Sequence, residues 1–472
     1  MTRALISLTL AGALLAGCTL EPAYRQPAPA VPAQFPTGPA YAAPAAVSVS
    51  DWREVFPDPK LRAVIEQALA NSQDLRVAIA QVEASRAQYH VQRAALLPTV
   101  DGSAGVVTGR DYTGLPPSLG GAYQNATSYS ASVGTTAYEV DLFGRVRSLS
   151  KAALQSYLAT DAARKSAQIS LVAEVAGDYL TYAADASLLQ VAKATVTSAA
   201  ANFDLAQKRL AGGIASQLDV SNAETILDQA RDDVARDTTQ VAQDKNALDL
   251  AVGAPVAAEN LPAGIDDPAT TLGAAPDALN SSILLQRPDV VEAEHTLRGA
   301  NANIGAARAA FFPQISLTAS GGAESASLSS LFAGGAGVWS FAPTIKLPIF
   351  AGGANLANLD YAKAQDRIDL AQYQKAVQTA FRETADALAQ RGTIDDRLAA
   401  QRAQVAAAAR ALDLAQALYR RGSDSYLDVL TAQRTFYAAQ QSLIGVELIA
   451  RTNTVTLYKV LGGALRDRAS EG

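Results

Sequence analysis

GSDSYLDV, residues 422–429, repeats a phrase the chain has already used: GIASQLDV, residues 213–220, lies at a constant offset of 209. The same offset carries Asp204-Leu205-Ala206-Gln207 onto Asp413-Leu414-Ala415-Gln416 and holds without a gap to Gly253 and Gly462. Farther upstream, Leu96-Leu97-Pro98 returns as Phe311-Phe312-Pro313 at an offset of 215. The chain is therefore an internal duplication, and its halves are two copies of one supersecondary plan.

Within each copy the hydrophobic period changes in the same order. In the first, residues 51–253, apolar positions at helical spacing (Leu61, Ile65, Ala68, Leu69) predict a helix, and Leu75 to Leu97 predict another that stops at Pro98. Residues about 99–109 and 127–142 alternate small or apolar with polar side chains, the period of two expected of strands. Val146 to Leu210 contains no Pro and one interior Gly, Gly177, which predicts a single helix of roughly 65 residues, about 100 Å long. A reversal at Gly212-Gly213 leads into a second helix, so a helical hairpin spans about 146–252. After a Pro- and Gly-containing linker, 254–276, the second copy occupies 277–463, with strands at about 314–321 and 335–347, a hairpin at about 353–460 and a tail, 464–472. The last strand sets Trp339, Phe341, Ile345 and Leu347 on one face and Ser340, Ala342, Thr344 and Lys346 on the other.

The repeated phrase marks the two helix reversals. Gly213 and Gly422 end one helix in the left-handed conformation, and Ser216 with Asp219, like Ser425 with Asp428, has the spacing of a capping box that opens the next. Asp424 and the preceding Arg420 and Arg421 add charge to the second turn.

The chain starts MTRALISLTLAGALLAGC: one Arg, an apolar run too short to span a bilayer, then small residues. Residues 1–17 read as a signal peptide. Leu15-Ala16-Gly17-Cys18 resembles the bacterial lipoprotein signal, in which cleavage leaves a cysteine that carries diacylglycerol. Cys18 is the sole cysteine, so no intramolecular disulfide competes for it, and lipidation is its expected role. Thr19 in the next position implies sorting to the outer membrane by the habit of that signal. Residues 18–50, rich in Pro and Ala, are expected to form an extended, loosely packed tether.

Composition narrows the function class. A chain of 472 residues that is 49% apolar but only 6% aromatic favours helices packed at short distance. A net charge of -6 offers no footprint for a phosphate backbone, which excludes nucleic acid as a partner. His90 and His295 do not correspond under the repeat, and His295 with Glu292 and Glu294 is a weak metal signal on one helix. Gly334-Gly335-Ala336-Gly337 precedes a strand, not the helix a phosphate loop requires. No catalytic residue, no metal and no cofactor beyond the lipid on Cys18 is expected. Four strands per chain leave two open edges, which a bilayer does not tolerate. Either the sheet stays in water or several chains share one barrel; the apolar face through Trp339 favours sharing.

The run LLQRPDVVEAEHTLRGANANIGAARAAFFPQISLTASGG, residues 284–322, resembles the signature of the outer-membrane factors of tripartite efflux pumps, the TolC-like channels, in particular their NodT-type lipoprotein branch. DWREVFPDPKL near the start, DLFGR at 141–145 and LPIFAGG at 347–353 are similar to the same family. The resemblance implies an α+β membrane protein with an internally duplicated helix-strand-strand-helix-helix plan. Its four β-strands per chain would contribute to a trimeric 12-stranded outer-membrane β-barrel, continued by a periplasmic α-helical barrel. It further implies a homotrimer that acts as a passive efflux conduit, with a periplasmic adaptor (membrane fusion) protein, an inner-membrane resistance-nodulation-division type pump and outer-membrane lipid as partners. The two reversals would then form the periplasmic tip, with Asp219, Arg420, Arg421, Asp424 and Asp428 as gate candidates. Gln286 and Arg53 depart from the usual pattern, and Thr431 stands where some members carry an acid that helps close the tip. Export of proteins rather than small molecules, and a periplasmic adaptor lipoprotein, are the rival readings; adaptors carry one hairpin and lack the duplication.

Overall fold

The computed structural model describes residues 19–41, 52–112, 123–273 and 280–463. Cys18 and the signal peptide lie outside these residues, as does the loop containing Leu115. In chain order the elements are α1 (Trp52–Val55), α2 (Pro59–Asn71), α3 (Gln73–Ala94), β1 (Asp101–Tyr112), β2 (Tyr123–Glu139), α4 (Arg145–Ala211), α5 (Gln217–Val252), α6 (Pro288–Ala309), β3 (Gln314–Ser325), β4 (Gly337–Lys346), α7 (Ala354–Arg420) and α8 (Tyr426–Val460). Both long helices, α4 and α7, run 67 residues.

The chain divides into two compact units, and each draws on both sequence repeats. The first holds the described residues of 19–27, 82–160 and 293–373. At its centre is one antiparallel sheet in the order β1-β2-β3-β4, in which the hairpins of the two copies join through β2 and β3. The β2–β3 register slips between Thr135 and Tyr138, where Ala137 takes a φ of 54° and donates its N–H to the Thr318 hydroxyl at 3.1 Å. This is a bulge, which bends a strand and tightens its twist. β1 and β4 remain edges, and along β4 Trp339, Phe341 and Ile345 are exposed.

The DLFGR and FFP motifs close the sheet onto its helices. Phe143 stacks on Phe312 with centroids 4.8 Å apart, and Arg145 grips Glu139 at the end of β2. Asp141 receives the Arg147 N–H at 2.8 Å, capping the first turn of α4. These contacts fix where strand becomes helix.

Of the expected tether, residues 42–50 lie outside the described residues, and residues 20–26 are seated, not loosely packed as their composition predicts. Residues 20–26 lie along α6: Arg308 donates to the Leu20 carbonyl at 3.1 Å, Asn301 to that of Pro22 at 2.9 Å, and Lys151 pairs with Glu21 at 2.7 Å. Tyr24 sits beneath Arg298, 5.1 Å from ring centroid to guanidinium, and its hydroxyl donates to Glu294. Gly305 makes room for this strap, because a Cβ there would stand 2.9 Å from the Glu21 Cα. A chain without internal hydrogen bonds stays ordered where side chains from elsewhere satisfy its carbonyls.

The second unit comprises residues 28–81, 161–292 and 374 onward. Asp58 caps α2, accepting from Lys60 N at 2.8 Å with Pro59 in the first turn, and Leu61, Val64, Ile65 and Ala68 bury one stripe of that helix. They join Val172, Val175, Tyr179 and Leu180 of α4, Leu248 and Val252 of α5 and Tyr458 of α8 in the main core. The Arg287-Pro288-Asp289 signature has a structural job there. Buried Arg287 pairs with Asp289 at 2.7 Å and Glu383 at 2.9 Å and donates to the Val460 carbonyl at 2.8 Å, binding α6, α7 and the end of α8. A buried guanidinium in which each of the three nitrogens donates is costly to disturb.

Candidate functional site at the two helix reversals

The two copies of the repeated phrase lie together in the second unit. Each helix ends in the same backbone pattern. Gly213 N donates to Leu210 O at 2.9 Å and Ile214 N to Arg209 O at 2.9 Å; Gly422 N donates to Tyr419 O at 3.0 Å and Ser423 N to Leu418 O at 3.0 Å. Gly213 and Gly422 take φ of 72° and 76°. This is the reversal that a left-handed glycine after a helix produces.

The openings of the following helices differ. Ser216 forms a reciprocal box: its hydroxyl accepts from Asp219 N at 3.2 Å while the Asp219 carboxylate accepts from Ser216 N at 2.9 Å. Ser425 stands in the cap position but accepts nothing there, so the expected second capping box does not form. Asp424, which replaces Ala215, takes the Ser425 N–H at 3.0 Å, while the Ser425 hydroxyl donates to Asp428 at 2.6 Å as that of Ser216 does to Asp219 at 2.8 Å. A nearer carboxylate has displaced the reciprocal one. Hydrogen bonds from Ser425 and then Asp424 hold the Asp428 carboxyl below the usual carboxylate range.

Between the reversals lies a small aromatic core: Tyr419 and Tyr426, with rings 5.4 Å apart, pack on Val220, Ala223, Val429 and Leu430. Arg209 of α4 crosses to α7, its guanidinium 4.2 Å from the Tyr419 ring and donating to the Tyr419 carbonyl at 2.7 Å. Burial, followed by the neighbouring Tyr419 and Asp219, pushes the Tyr426 hydroxyl up to about 12. None of these three residues follows from the phrase itself. The signal lay in the break of the repeat, since Tyr419 stands where the first copy has Leu210, and Tyr426 where it has Gln217.

The structure gathers Asp219, Asp424 and Asp428 at the turns, each occupied by local serine or backbone partners. Arg420 reaches only Gln416, at 3.5 Å, and among the described residues neither Arg420 nor Arg421 makes an ion pair. Ile214, Leu218 and Leu427 are 68%, 68% and 61% exposed, an apolar fringe around the same charges. The Thr431 hydroxyl donates back to the Leu427 carbonyl at 2.8 Å. A cavity of about 210 Å³ opens between α4, α5 and α8, with Thr195, Ile226, Asp233, Gln433 and Tyr437 in its wall.

The histidines lie elsewhere. His295 Nδ1 meets Gln155 at 2.7 Å, Glu294 is taken by Arg298 and the strap, and His90 rests near the Tyr89 ring. Among the described residues no group of three or more His, Cys, Asp or Glu is placed to hold a metal ion, and no helix is long and apolar enough to cross a membrane.

Comparison with known proteins bears on what this arrangement does. The family model described as "Outer membrane efflux protein" matches residues 64–254 and 279–463. The toluene efflux pump outer membrane protein TtgC of Pseudomonas putida is 45% identical, with 100% of this chain and 98% of that protein covered. Outer membrane protein OprJ of Pseudomonas aeruginosa is 40% identical over 97% of this chain and 95% of its own length. Among solved structures, the open state of the MtrE outer membrane channel of Neisseria gonorrhoeae matches with a TM-score of 0.85 at 37% identity, covering 95% of this chain and 99% of that one.

Proposed function

Because this chain belongs to the outer membrane efflux protein family, we propose that it works as a trimer whose sheets close one twelve-stranded barrel. It is the outer-membrane channel component of an efflux pump. One observation carries the trimer. The four-stranded sheet ends in two edges, β1 and β4, and exposes Trp339, Phe341 and Ile345. Such edges are stable in a bilayer only when another chain pairs with them. The four strands of one chain are too few to enclose a lumen, and three copies reach the size at which a barrel does.

The long helices then extend into the periplasm, and a periplasmic adaptor and an inner-membrane resistance-nodulation-division type pump supply the cargo. Acylation of Cys18 anchors each subunit in outer-membrane lipid. Small molecules are the cargo class, a relative named for toluene being a guide to its chemistry. At the reversals, Arg420 and Arg421, which make no ion pair among the described residues, pair with carboxylates among Asp219, Asp424 and Asp428 of neighbouring subunits and hold the mouth narrow; adaptor contact displaces these pairs.

The test is single-channel conductance of the purified protein in planar bilayers, with trimer retention read by detergent-resistant migration. The wild type is expected to run as a trimer with a small conductance, and Arg421→Ala with Asp424→Ala to raise it. A monomer that leaves bilayers silent overturns the barrel; an unchanged conductance in the double variant overturns the gate. A deletion strain that keeps its resistance to small toxic compounds but loses exported proteins overturns the cargo class.

A further inference from the structure

In the second unit the facing sides of α4 and α5 carry two acidic stripes of matching spacing. On α4 they are Glu174, Asp178 and Asp185; on α5 they are Asp233, Asp237 and Asp244, each stepping by four and then seven residues along one helix face. The helices run antiparallel from the reversal at Gly213, which sets Asp185 opposite Asp244. Partners account for part of this charge. Asp233 accepts from the Tyr437 hydroxyl at 2.9 Å and from Arg236 at 2.6 Å, Arg236 also reaches Asp237 Oδ1 at 3.0 Å, and Gln240 donates to Asp244 Oδ1 at 2.8 Å. The other oxygens, Asp237 Oδ2 and Asp244 Oδ2, are buried with no donor, on residues only 6% and 9% exposed.

Asp185 meets Asp244 at hydrogen-bonding distance. Ionised carboxylates are acceptors only, so a hydrogen bond between two of them exists when one carries a proton. A protonated Asp185 would supply the donor that Asp244 Oδ2 lacks. We propose that Asp185 and Asp244 share one proton, forming a carboxyl–carboxylate bridge that holds α4 to α5 and opens when the proton leaves.

The surroundings leave the pair to that device. From α5, Asp237 and Asp244 act on Asp185, and no cation does. Arg236 is engaged by Asp233 and Asp237, and Lys245 by Asp249 at 2.7 Å. Glu174 of α4 and Asp244 of α5 act on Asp178. The segment packed on α4 at Ser187 brings Asp267, whose carboxylate is held by the Ala263 and Ala269 N–H groups. From α8 come apolar Ile444 and Leu448, while Arg451 faces Glu447 and Asp266. Burial first, then Asp244 and Asp237, raise Asp185 to about 7; burial, Glu174 and Asp244 raise Asp178 to about 6. The folded chain thus binds more protons than the unfolded one between about 4 and these values. The contribution of these carboxyls to stability is full in acid and is lost as pH rises through about 7.

The experiment uses the full chain purified in detergent, titrated from about pH 5 to 8. Infrared spectroscopy follows the C=O stretch of a protonated carboxyl, and thermal unfolding is measured at each pH. The wild type is expected to lose the band with a midpoint near 7 and to unfold at lower temperature as pH rises. Asp185→Asn keeps a donor aimed at Asp244 but has no proton to lose, so it should remove the component of the band that titrates near 7, leave that of Asp178 near 6, and lose less stability than the wild type as pH rises. Asp178→Asn should keep the band. A wild-type spectrum with no protonated carboxyl in this range overturns the proposal even if a variant fails to fold, as does an Asp185→Asn chain whose stability falls with pH like the wild type.

Discussion

The reversals at Gly213 and Gly422 share a backbone and differ in chemistry. Both end a helix with the same pair of hydrogen bonds and a left-handed glycine. The first then closes on itself as Ser216 accepts from Asp219 N and Asp219 from Ser216 N, whereas in the second Asp424 takes the Ser425 N–H and two tyrosines turn inward, where Arg209 of the first covers one of them. The duplication preserved the turn and released the side chains. One copy is a plain connection, and the other carries the contacts that bind the two hairpins.

The largest expected break in this asymmetry is Tyr419→Ala. It removes a buried ring and the platform for Arg209, and should cost about 3–5 kcal/mol in urea unfolding, as other buried aromatic deletions do. Leu210→Ala at the matching, partly buried position should cost clearly less. Equal losses would mean that the aromatic core does not distinguish the copies. Next come Gly213→Val and Gly422→Val, which should each cost about 1–2 kcal/mol and by the same amount, because both glycines occupy the left-handed region. A marked difference between them would show that the turns are not equivalent in backbone.

Smaller effects probe the caps. Ser216→Ala should cost about 1 kcal/mol, the usual value for a working N-cap, and Ser425→Ala only a few tenths, because its hydroxyl accepts no backbone N–H. The smallest change concerns acid. Ser425 and Asp424 hold the Asp428 carboxyl below its ordinary value, so its contribution is present above about pH 4 and is lost as pH falls through the depressed value. Asp428→Asn should remove that step from the acid limb of an unfolding titration and leave the limb near neutrality unchanged.

Much of this architecture is legible in the sequence, because local rules decide it. Period changes mark strand and helix, Pro-free runs mark α4 and α7, and the Gly-x-x-Ser-x-Leu-Asp phrase marks the turns. What the sequence hid depends on who stands nearby. The pairing of Arg209 with Tyr419 spans 210 residues and needs both hairpins in place. The loss of the second capping box follows from one extra carboxylate at Asp424, which a pattern of serine and acid does not weigh. The seated strap was hidden by its own Pro- and Ala-rich composition, which describes an isolated chain and not one whose carbonyls Arg308 and Asn301 take. The compact units, each built from both repeats, likewise follow from pairing between β2 and β3, not from the order of the duplication.

The niche at Gly305 also has a consequence in time. Glu21 and Asn301 are separated by 280 residues, so the strap has no seat until most of the chain has been made and α6 has formed. A chain that emerges N-terminus first therefore leads with a segment that is among the last to find its place. Closing so long a loop adds little entropy over a shorter one, since the cost grows only with the logarithm of length. Timing, not loop length, is the constraint: the strap docks on a finished helix and latches an assembly it did not nucleate.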